Sequence, residues 1–305
     1  WINTEVEEIA DNVKLEPKRH TKVKNMLVLE DAEIVTATNK SVVFNLKQNM
    51  VGVPKVTVPM KKGDTLTIRF SEMLLSDNTF YTKNYRSAKS TDYYIAAKDG
   101  VIEYTPKFTF HGFQYLELSG FDSTATPNSS WVKGVVQYSD FDKNGTFTSS
   151  HDKLNQLQSN ITWGLRDNLL DIPTDCPQRD ERLGWTGDAQ VISPTAMYNF
   201  KMHAFWTAWL QSMRETQSDH DNGLVPFIIP DVLQNNRASS GWGDACVIIP
   251  WDIYNTTGDK RVLEENFEMA KKWVGYYQSK SNNYIPTIHS FRDWLQPYPT
   301  KGGKM

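Results

Sequence analysis

The chain has 305 residues, of which 39% are hydrophobic and 23% are charged, and its formal net charge is −3 at pH 7. This composition is typical of a globular protein and excludes a general nucleic-acid-binding protein, which normally carries a basic excess. The length predicts two domains, and no stretch of the sequence is long and apolar enough to span a membrane.

In the first half of the chain, apolar and polar residues alternate as they do in half-buried β-strands. Residues 1 to about 35 mix charge with short apolar runs and give no assignment. Beyond them, apolar and polar residues alternate with a period of two, and we predict strands at 41–46, 53–59, 64–70, 91–96, 108–110, 114–119 and 131–138. Lys62-Gly63-Asp64 is the predicted turn between the second and third of these. Short strands without a helical period between them predict a β-sandwich over residues 36–149.

The apolar period changes near Ser150. An amphipathic helix is predicted from one stripe of apolar residues, Leu154, Leu157, Ile161, Leu165 and Leu169, with Ser150 as its N-cap. Further helices are predicted at 189–200, 203–216, 244–254 and 261–277. In the first of these, Pro194 should be tolerated only in the opening turn. Successive helices over residues 150–305 predict a helical bundle or an α/α toroid, which about five helices would leave incomplete.

The cysteines and the aromatic residues give weaker indications. Cys176 and Cys246 are 70 positions apart and neither has the spacing of a metal ligand. We therefore expect two free, mostly buried thiols and no metal or other cofactor. The chain has ten Trp, which gives some weight to a flat ligand such as a carbohydrate, although a Trp-rich core is the commoner reason.

The segment from Asp171 to Gln190 lies between the first two predicted helices and is rich in charged groups. It contains five carboxylates, two arginines and a tryptophan, namely Asp171, Asp175, Asp180, Glu181, Asp188, Arg179, Arg182 and Trp185. Two carboxyl groups beside an aromatic platform are typical of sites that hydrolyse glycosidic bonds, in which one carboxyl is the acid. Glu181 is the best candidate for that acid, and an ordinary surface loop is the alternative interpretation.

Two later loops repeat the pairing of Trp with Asp. They are Gly241-Trp242-Gly243-Asp244 and Asp293-Trp294. Together with Trp185, these loops would suit a sugar pocket, although each tryptophan alone is as readily a core residue. His111 is predicted to be a core or hairpin histidine rather than a catalytic one, and Asp219-His220-Asp221 is predicted to be a solvated loop.

The sequence Asp175-Cys-Pro-Gln-Arg-Asp-Glu-Arg-Leu-Gly-Trp-Thr-Gly-Asp188 resembles the signature of the α-L-rhamnosidases of glycoside hydrolase family 78. Residues 62–72 and 108–116 resemble the family's β-sandwich module. Residues 241–245 and 293–295 match its later loops at fitting intervals. The resemblance covers most of the chain, except residues 1 to about 35.

This resemblance implies an (α/α)6 barrel after β-sandwich modules, and hydrolysis of terminal non-reducing α-L-rhamnose with inversion. The substrates would be rhamnose-containing glycans or glycosides, and no cofactor is implied. Glu181 would be the general acid. The substrate-binding residues would be Asp175, Arg179, Trp185, Asp188, Trp242, Asp244 and Trp294, of which the three tryptophans would wall the pocket.

The chain departs from the family in one respect. The family's general base is a glutamate in a later motif, and this sequence ends before any such motif. We therefore expect an incomplete barrel with an exposed apolar flank, and no activity from the 305-residue chain alone. A secreted or periplasmic setting is favoured over a cytoplasmic one. Two alternatives stay open, a non-catalytic carbohydrate-binding protein and an (α/α)6 hydrolase for another sugar.

Overall fold

The structure is a computed structural model, and it describes residues 6, 8–10, 13, 15–19, 22–234 and 237–291. Its amino-terminal part is a β-domain, and its carboxy-terminal part is helical. In the described ranges, no helix has the length and apolar character needed to cross a membrane.

In chain order, the strands are β1 (Val23–Leu29), β2 (Glu33–Ala37), β3 (Ser41–Met60), β4 (Thr65–Ser71), β5 (Met73–Leu74), β6 (Phe80–Tyr81), β7 (Thr91–Ile95), β8 (Gly100–Tyr104), β9 (His111–Ser119), β10 (Val132–Ser139), β11 (Leu169–Leu170), β12 (Ile172–Pro173), β13 (Ser281–Asn282) and β14 (Ile285–Pro286).

The 20-residue strand β3 organises the sandwich, because it has different partners along its length. Its first residues pair with β2 and β9, and its last residues pair with β10 and β8. The path through the eight-stranded sheet is β1-β10-β3-β9-β4-β7. The register shifts between Asn45 and Met50, where Lys47 has a φ of 64°. The alternation on β3 buries Val56, Val58 and Met60, which are at most 2% exposed.

The sequence predicted most of these strands but was wrong in some details. The two strands predicted at 41–46 and 53–59 form one continuous strand, β3. The strand predicted at 108–110 is a loop in which Phe108 is fully exposed with a φ of 61°. β8 was not predicted, and β1 and β2 lie in the segment that had no assignment. The turn at 62–64 is confirmed, with Gly63 at a φ of 89°.

Five helices lie in the described part of the carboxy-terminal half. They are α1 (Asp152–Asn168), α2 (Thr186–Asn199), α3 (His203–Ser218), α4 (Ala245–Thr257) and α5 (Lys260–Ser279). Helix α4 packs against α2, α3 and α5, and α1 packs against strands β3 and β10. The turn between α4 and α5 is as predicted, since Gly258 ends α4 at a φ of 72° and Asp259 accepts a hydrogen bond from the Arg261 N–H.

Two predictions about helix ends were wrong. The residue that caps α1 is His151 rather than Ser150. Helix α2 begins at Thr186, before the predicted start, so Pro194 lies inside the helix and not in its opening turn. The proline has no N–H to donate to the carbonyl four residues earlier. The Ser193 hydroxyl lies 3.1 Å from that carbonyl, which belongs to Gln190, but it lies 2.6 Å from Oδ2 of Asp252, and its single proton can serve only one of the two.

The expected exposed apolar flank is present on the helices. In the stripe predicted for α1, Leu165 is buried, but Leu154 and Leu157 are 46% and 53% exposed. On α2, Val191 and Tyr198 are more than three-quarters exposed.

A buried carboxyl group joins α1 to the sandwich. Oδ1 of Asp167 accepts a hydrogen bond from the Val51 N–H at 3.1 Å. Burial raises the pKa of Asp167 to about 8, and the negative charge of Glu72 adds to the effect. Between about pH 4 and pH 8 the folded state therefore keeps a proton that the unfolded state releases. The stability falls as the pH rises through this window, and the loss is complete above about pH 8.

We expect Asp167→Asn to remove this pH dependence, because the amide stays neutral and keeps an acceptor for Val51. Relative to the variant, the wild type should lose on the order of 3 kcal/mol of stability between pH 4 and pH 8.5. Denaturant unfolding at both pH values measures the difference. Asp142→Asn, at an exposed aspartate paired with Lys201, is the control and should leave the dependence unchanged. Equal pH dependence in the wild type and Asp167→Asn would contradict the assignment.

Candidate active site

The charged segment between α1 and α2 is a loop that folds back on itself. It opens with the β11–β12 hairpin, in which Asp171 turns the chain at a φ of 68°. The Asp175 N–H donates to the Leu183 carbonyl, and the Leu183 N–H donates to Oδ1 of Asp175, both at 3.2 Å. These two bonds close residues 175–183 into a loop, which we call the catalytic loop. Trp185 follows it as the residue that caps α2.

The centre of the catalytic loop is a cluster of ion pairs around Glu181. Oε2 of Glu181 accepts from Arg179 at 2.9 Å and from Arg86, a residue of the β-sandwich domain, at 2.8 Å. The Arg179 guanidinium is also 3.7 Å from Oδ2 of Asp175. The Cys176 thiol donates to the same Asp175 oxygen at 2.9 Å.

Burial raises the pKa of three groups in and around this cluster, Asp175, Cys176 and Asp188. It raises the pKa of Asp175, and the charge of Glu181 acts in the same direction. It also raises the pKa of Asp188, with smaller effects from Asp175 and Glu181. The pKa of Cys176 rises to about 12 through burial and the bond to Asp175, so the thiol is neutral at physiological pH.

A metal ion is a poor fit to this cluster. The ligand atoms of Asp175, Cys176 and Glu181 lie within 4.8 Å of one another, which is close enough for a shared ion. Arg179, however, places its guanidinium against both carboxylates. The cation that neutralises the cluster is therefore an arginine side chain.

Trp185 is fixed by a short stretch of paired backbone. The Thr186 N–H donates to the Phe227 carbonyl at 2.9 Å, and the Ile229 N–H donates to the Gly184 carbonyl at 2.8 Å. These bonds place the indole of Trp185 parallel to the Phe227 ring, with 5.3 Å between centroids. The side chain stands at the exit of the catalytic loop, close to the charged cluster.

A second tryptophan, Trp242, forms an aromatic wall together with Trp185 and Phe291. Trp242 lies over the start of α2, where a Cβ on Gly187 would be 2.6 Å from the indole nitrogen, so this position admits only glycine. Phe291 contacts Trp185, Phe227 and Trp242, with centroid distances of 5.6, 5.3 and 4.9 Å.

The charged cluster and the aromatic wall border one cavity of about 940 Å³. Five polar atoms of its lining are buried without a protein hydrogen-bond partner in the described part of the chain, and they are Nε1 of Trp185, Nε1 of Trp242, Nε of Arg179, Oε1 of Gln190 and Oδ1 of Asn168. Buried polar atoms are normally paired. Three donors and two acceptors around an aromatic wall suit a small ligand that carries several hydroxyl groups.

The structure brings most of the predicted site residues together. The cavity is lined by Asp175, Arg179, Glu181, Trp185, Asp188 and Trp242. Asp244 is not part of the lining, since it lies at the start of α4, where its Oδ1 accepts from the Trp273 indole at 2.9 Å. This contact gives Asp244 a structural partner, and its substrate-binding role stays a prediction. Asp293 and Trp294 lie outside the described residues.

Sequence reasoning missed four residues of this region, Arg86, Gln190, Phe227 and Phe291. Gln190 ends the charged segment that was singled out, and Phe291 lies two residues before Asp293-Trp294, so each could have been noticed beside those motifs. Arg86 and Phe227 are distant in sequence from the catalytic loop, and no local pattern marks them.

The sequence also gave expectations for His111, Cys176 and Cys246, and of these residues Cys176 lines the cavity. His111 is buried, 3.0 Å from Oδ1 of Asp92, and stacks on Phe70, as predicted for a core histidine. Both cysteines are free, and Cys246 is buried. Cys176 is half-buried.

The chain matches two family models. Residues 142–304 match the bacterial alpha-L-rhamnosidase 6 hairpin glycosidase domain, and residues 35–138 match the bacterial alpha-L-rhamnosidase concanavalin-like domain. Among curated proteins, the chain is 63% identical over 302 residues to an alpha-L-rhamnosidase of Formosa agariphila, covering 99% of this chain and 32% of the relative. It is 49% identical to an alpha-L-rhamnosidase of Alteromonas sp. strain LOR, covering 95% and 31%.

The fold of this chain is also similar to that of a solved alpha-L-rhamnosidase structure. The structure of Streptomyces avermitilis alpha-L-rhamnosidase complexed with L-rhamnose superposes with a TM-score of 0.86 at 37% identity, covering 91% of this chain and 27% of that one. The chain thus spans about a third of the length of the relatives it matches. The β-sandwich followed by helices of an (α/α)6 barrel, predicted from the sequence, is confirmed as the fold class. The chain belongs to the bacterial α-L-rhamnosidases, glycoside hydrolase family 78.

Proposed function

We propose that this chain is part of an inverting α-L-rhamnosidase that releases terminal non-reducing α-L-rhamnose from rhamnose-containing glycans or glycosides. The observation that carries the proposal is the juxtaposition of Glu181 with the aromatic wall and the unpaired polar atoms around one cavity. A deoxyhexose offers both an apolar face for the indoles and hydroxyl groups for the polar atoms. The relatives' names and the rhamnose-bound structure support the choice of sugar.

In this proposal Glu181 is the general acid that protonates the glycosidic oxygen as the bond breaks. Its two hydrogen bonds to arginines both use Oε2, so Oε1 is the oxygen available to carry the proton. Asp175, Arg179 and Asp188 bind hydroxyl groups of the sugar. Trp185 and Trp242 provide the apolar faces that position the ring beside Glu181 and exclude water from the leaving group.

Inversion needs a second carboxylate that activates water, about 6.5–9.5 Å from the acid. Asp175 does not suit this role, because its carboxylate lies within 4.8 Å of that of Glu181 and uses both oxygens in bonds to Leu183 and Cys176. We assign the base to a segment of the whole protein beyond this chain. The family resemblance implies a glutamate there.

The test compares the 305-residue chain with a polypeptide extended to the native end of its gene, which we call the extended polypeptide. We expect the extended polypeptide to hydrolyse p-nitrophenyl α-L-rhamnoside and the shorter chain to show little or no turnover. Rapid turnover by the 305-residue chain would contradict the assignment of the base. Rhamnose binding without turnover by either polypeptide would favour a carbohydrate-binding protein. Preference for another aryl glycoside would favour a hydrolase of a different sugar.

A further inference from the structure

We propose that the β-sandwich positions the acid of the helical domain through Arg86, an inference that rests on the proposed role of Glu181. Arg86 lies between β6 and β7, 95 positions from Glu181 in the sequence. Its guanidinium donates to Oε2 of Glu181 at 2.8 Å. The Glu181 side chain is 18% exposed and the Arg86 side chain 53% exposed. Arg86 does not line the cavity, so it is a positioning residue rather than a catalytic one.

The neighbouring residue makes a parallel contact. The Ser87 N–H donates to Oδ2 of Asp180 at 3.2 Å, and the Ser87 hydroxyl donates to the same oxygen. Two consecutive residues of the sandwich therefore hold two consecutive residues of the catalytic loop. Such a double contact fixes the direction of the loop as well as its distance from the sandwich, which a single ion pair would leave free.

The loop that carries Arg86 is itself held rigidly. The Asn84 amide donates to Oε2 of Glu72 at 3.0 Å, and the Asn49 amide donates to Oε1 of the same carboxylate at 3.0 Å. The Tyr85 hydroxyl donates to the Gly112 carbonyl at 3.3 Å, and the Tyr85 side chain is 1% exposed. Arg86 therefore projects from a loop that is anchored on Glu72, the residue after β4, and on Gly112 of β9.

The sandwich also contacts the catalytic loop on either side of Glu181, at Gln178 and at Arg182. A Cβ on Gly112 would lie 2.8 Å from Cβ of Gln178, so the two backbones approach each other closely. Arg182 donates to the Phe110 carbonyl at 3.0 Å and stacks over the Phe110 ring at 4.7 Å. Together with Ser87 and Arg86, these contacts cover the loop from residue 178 to residue 182.

The backbone of Arg86 gives independent support. Its φ of 55° and ψ of −115° lie in a region that glycine adopts without strain and that a residue with a Cβ does not. A strained non-glycine residue indicates that its side chain is needed at that place. The Arg86 side chain donates to Glu181 and its charge also acts on Asp180, whereas a glycine would satisfy the turn itself.

This geometry provides a variant that separates positioning from folding. Arg86→Gly removes the guanidinium and also relieves the backbone, so the melting temperature of the extended polypeptide should stay the same or rise. The kcat for p-nitrophenyl α-L-rhamnoside should fall about 10–100-fold, because a small misplacement of a catalytic group has an effect of this size. KM should change much less, and Arg86→Lys, which keeps the charge, should restore part of the lost kcat.

Arg69→Ala is the matched control, because it removes another ion pair of the sandwich, to Glu117, away from the catalytic loop. It should leave kcat unchanged. The proposal is overturned if Arg86→Gly keeps the wild-type kcat, or if its kcat falls only in step with a lower melting temperature.

Hydrogen exchange provides a readout that does not depend on turnover. In Arg86→Gly, the amides of residues 179–183 should exchange faster than in the wild type, while those of α3 should not. Unchanged exchange at 179–183 overturns the positioning role. If the wild type hydrolyses no rhamnoside but the exchange difference is present, the proposed function fails while the positioning role stands.

Discussion

Glu181→Gln is expected to lower the kcat of the extended polypeptide for aryl α-L-rhamnosides by about 10²–10⁴-fold, the usual contribution of a general acid. Glutamine has nearly the shape of glutamate and keeps an oxygen that can accept from Arg86 and Arg179. It has no proton to donate to the leaving oxygen. The loss therefore falls on the chemical step, and KM for the substrate should change little.

A series of leaving groups distinguishes an acid from a residue that only shapes the site. A 2,4-dinitrophenolate leaves without protonation, so Glu181→Gln should be much less impaired with that substrate than with a simple alkyl rhamnoside. Glu215→Gln, on the exposed face of α3, is the control for the same chemical change and should behave as the wild type. A defect of equal size for all leaving groups would argue that Glu181 is not the acid.

The fold was predictable from the sequence where local pattern determines structure. The alternation at 64–70 and the three- and four-residue spacing in α3 and α5 depend only on which side chains face the core. The same reasoning failed at Phe108, where an alternating aromatic stretch belongs to a loop. It also failed at Pro194, because α2 begins at Thr186, before the predicted start, and the proline therefore lies inside the helix.

The part of the candidate site that lies in one contiguous sequence motif was predictable. The segment from Asp175 to Asp188 contains the proposed acid, Glu181, one of its two arginine partners, Arg179, and the cavity residue Trp185. Arg86 and Phe227 reach the site only because the sandwich and the segment before Ile229 fold against the loop. Asp244 was predicted to bind substrate from its place beside Trp242; it does not line the cavity, its Oδ1 accepts from the Trp273 indole, and its substrate-binding role stays a prediction.

Gly184→Ala is expected to lower stability strongly, because Gly184 lies where the catalytic loop meets the backbone of Ile229. A Cβ there would be 2.1 Å from the Ile229 carbonyl oxygen, a backbone atom that cannot move without its neighbours. That oxygen accepts from the Trp209 indole at 3.2 Å, and the Ile229 N–H donates to Gly184. Displacing it should cost about 3 kcal/mol, from overpacking and weakened hydrogen bonds together.

The same displacement should affect the site, since the bonds around Gly184 hold Trp185 against Phe227. We therefore expect Gly184→Ala to raise KM for the rhamnoside and to lower the melting temperature. Gly275→Ala on α5 makes the same change where a Cβ meets nothing within 4 Å. It should stabilise the helix by about 0.5–1 kcal/mol. Opposite shifts in melting temperature would show that backbone contact, rather than loss of glycine flexibility, determines the effect at Gly184, whereas a stable and active Gly184→Ala would show that the Ile229 segment can move freely.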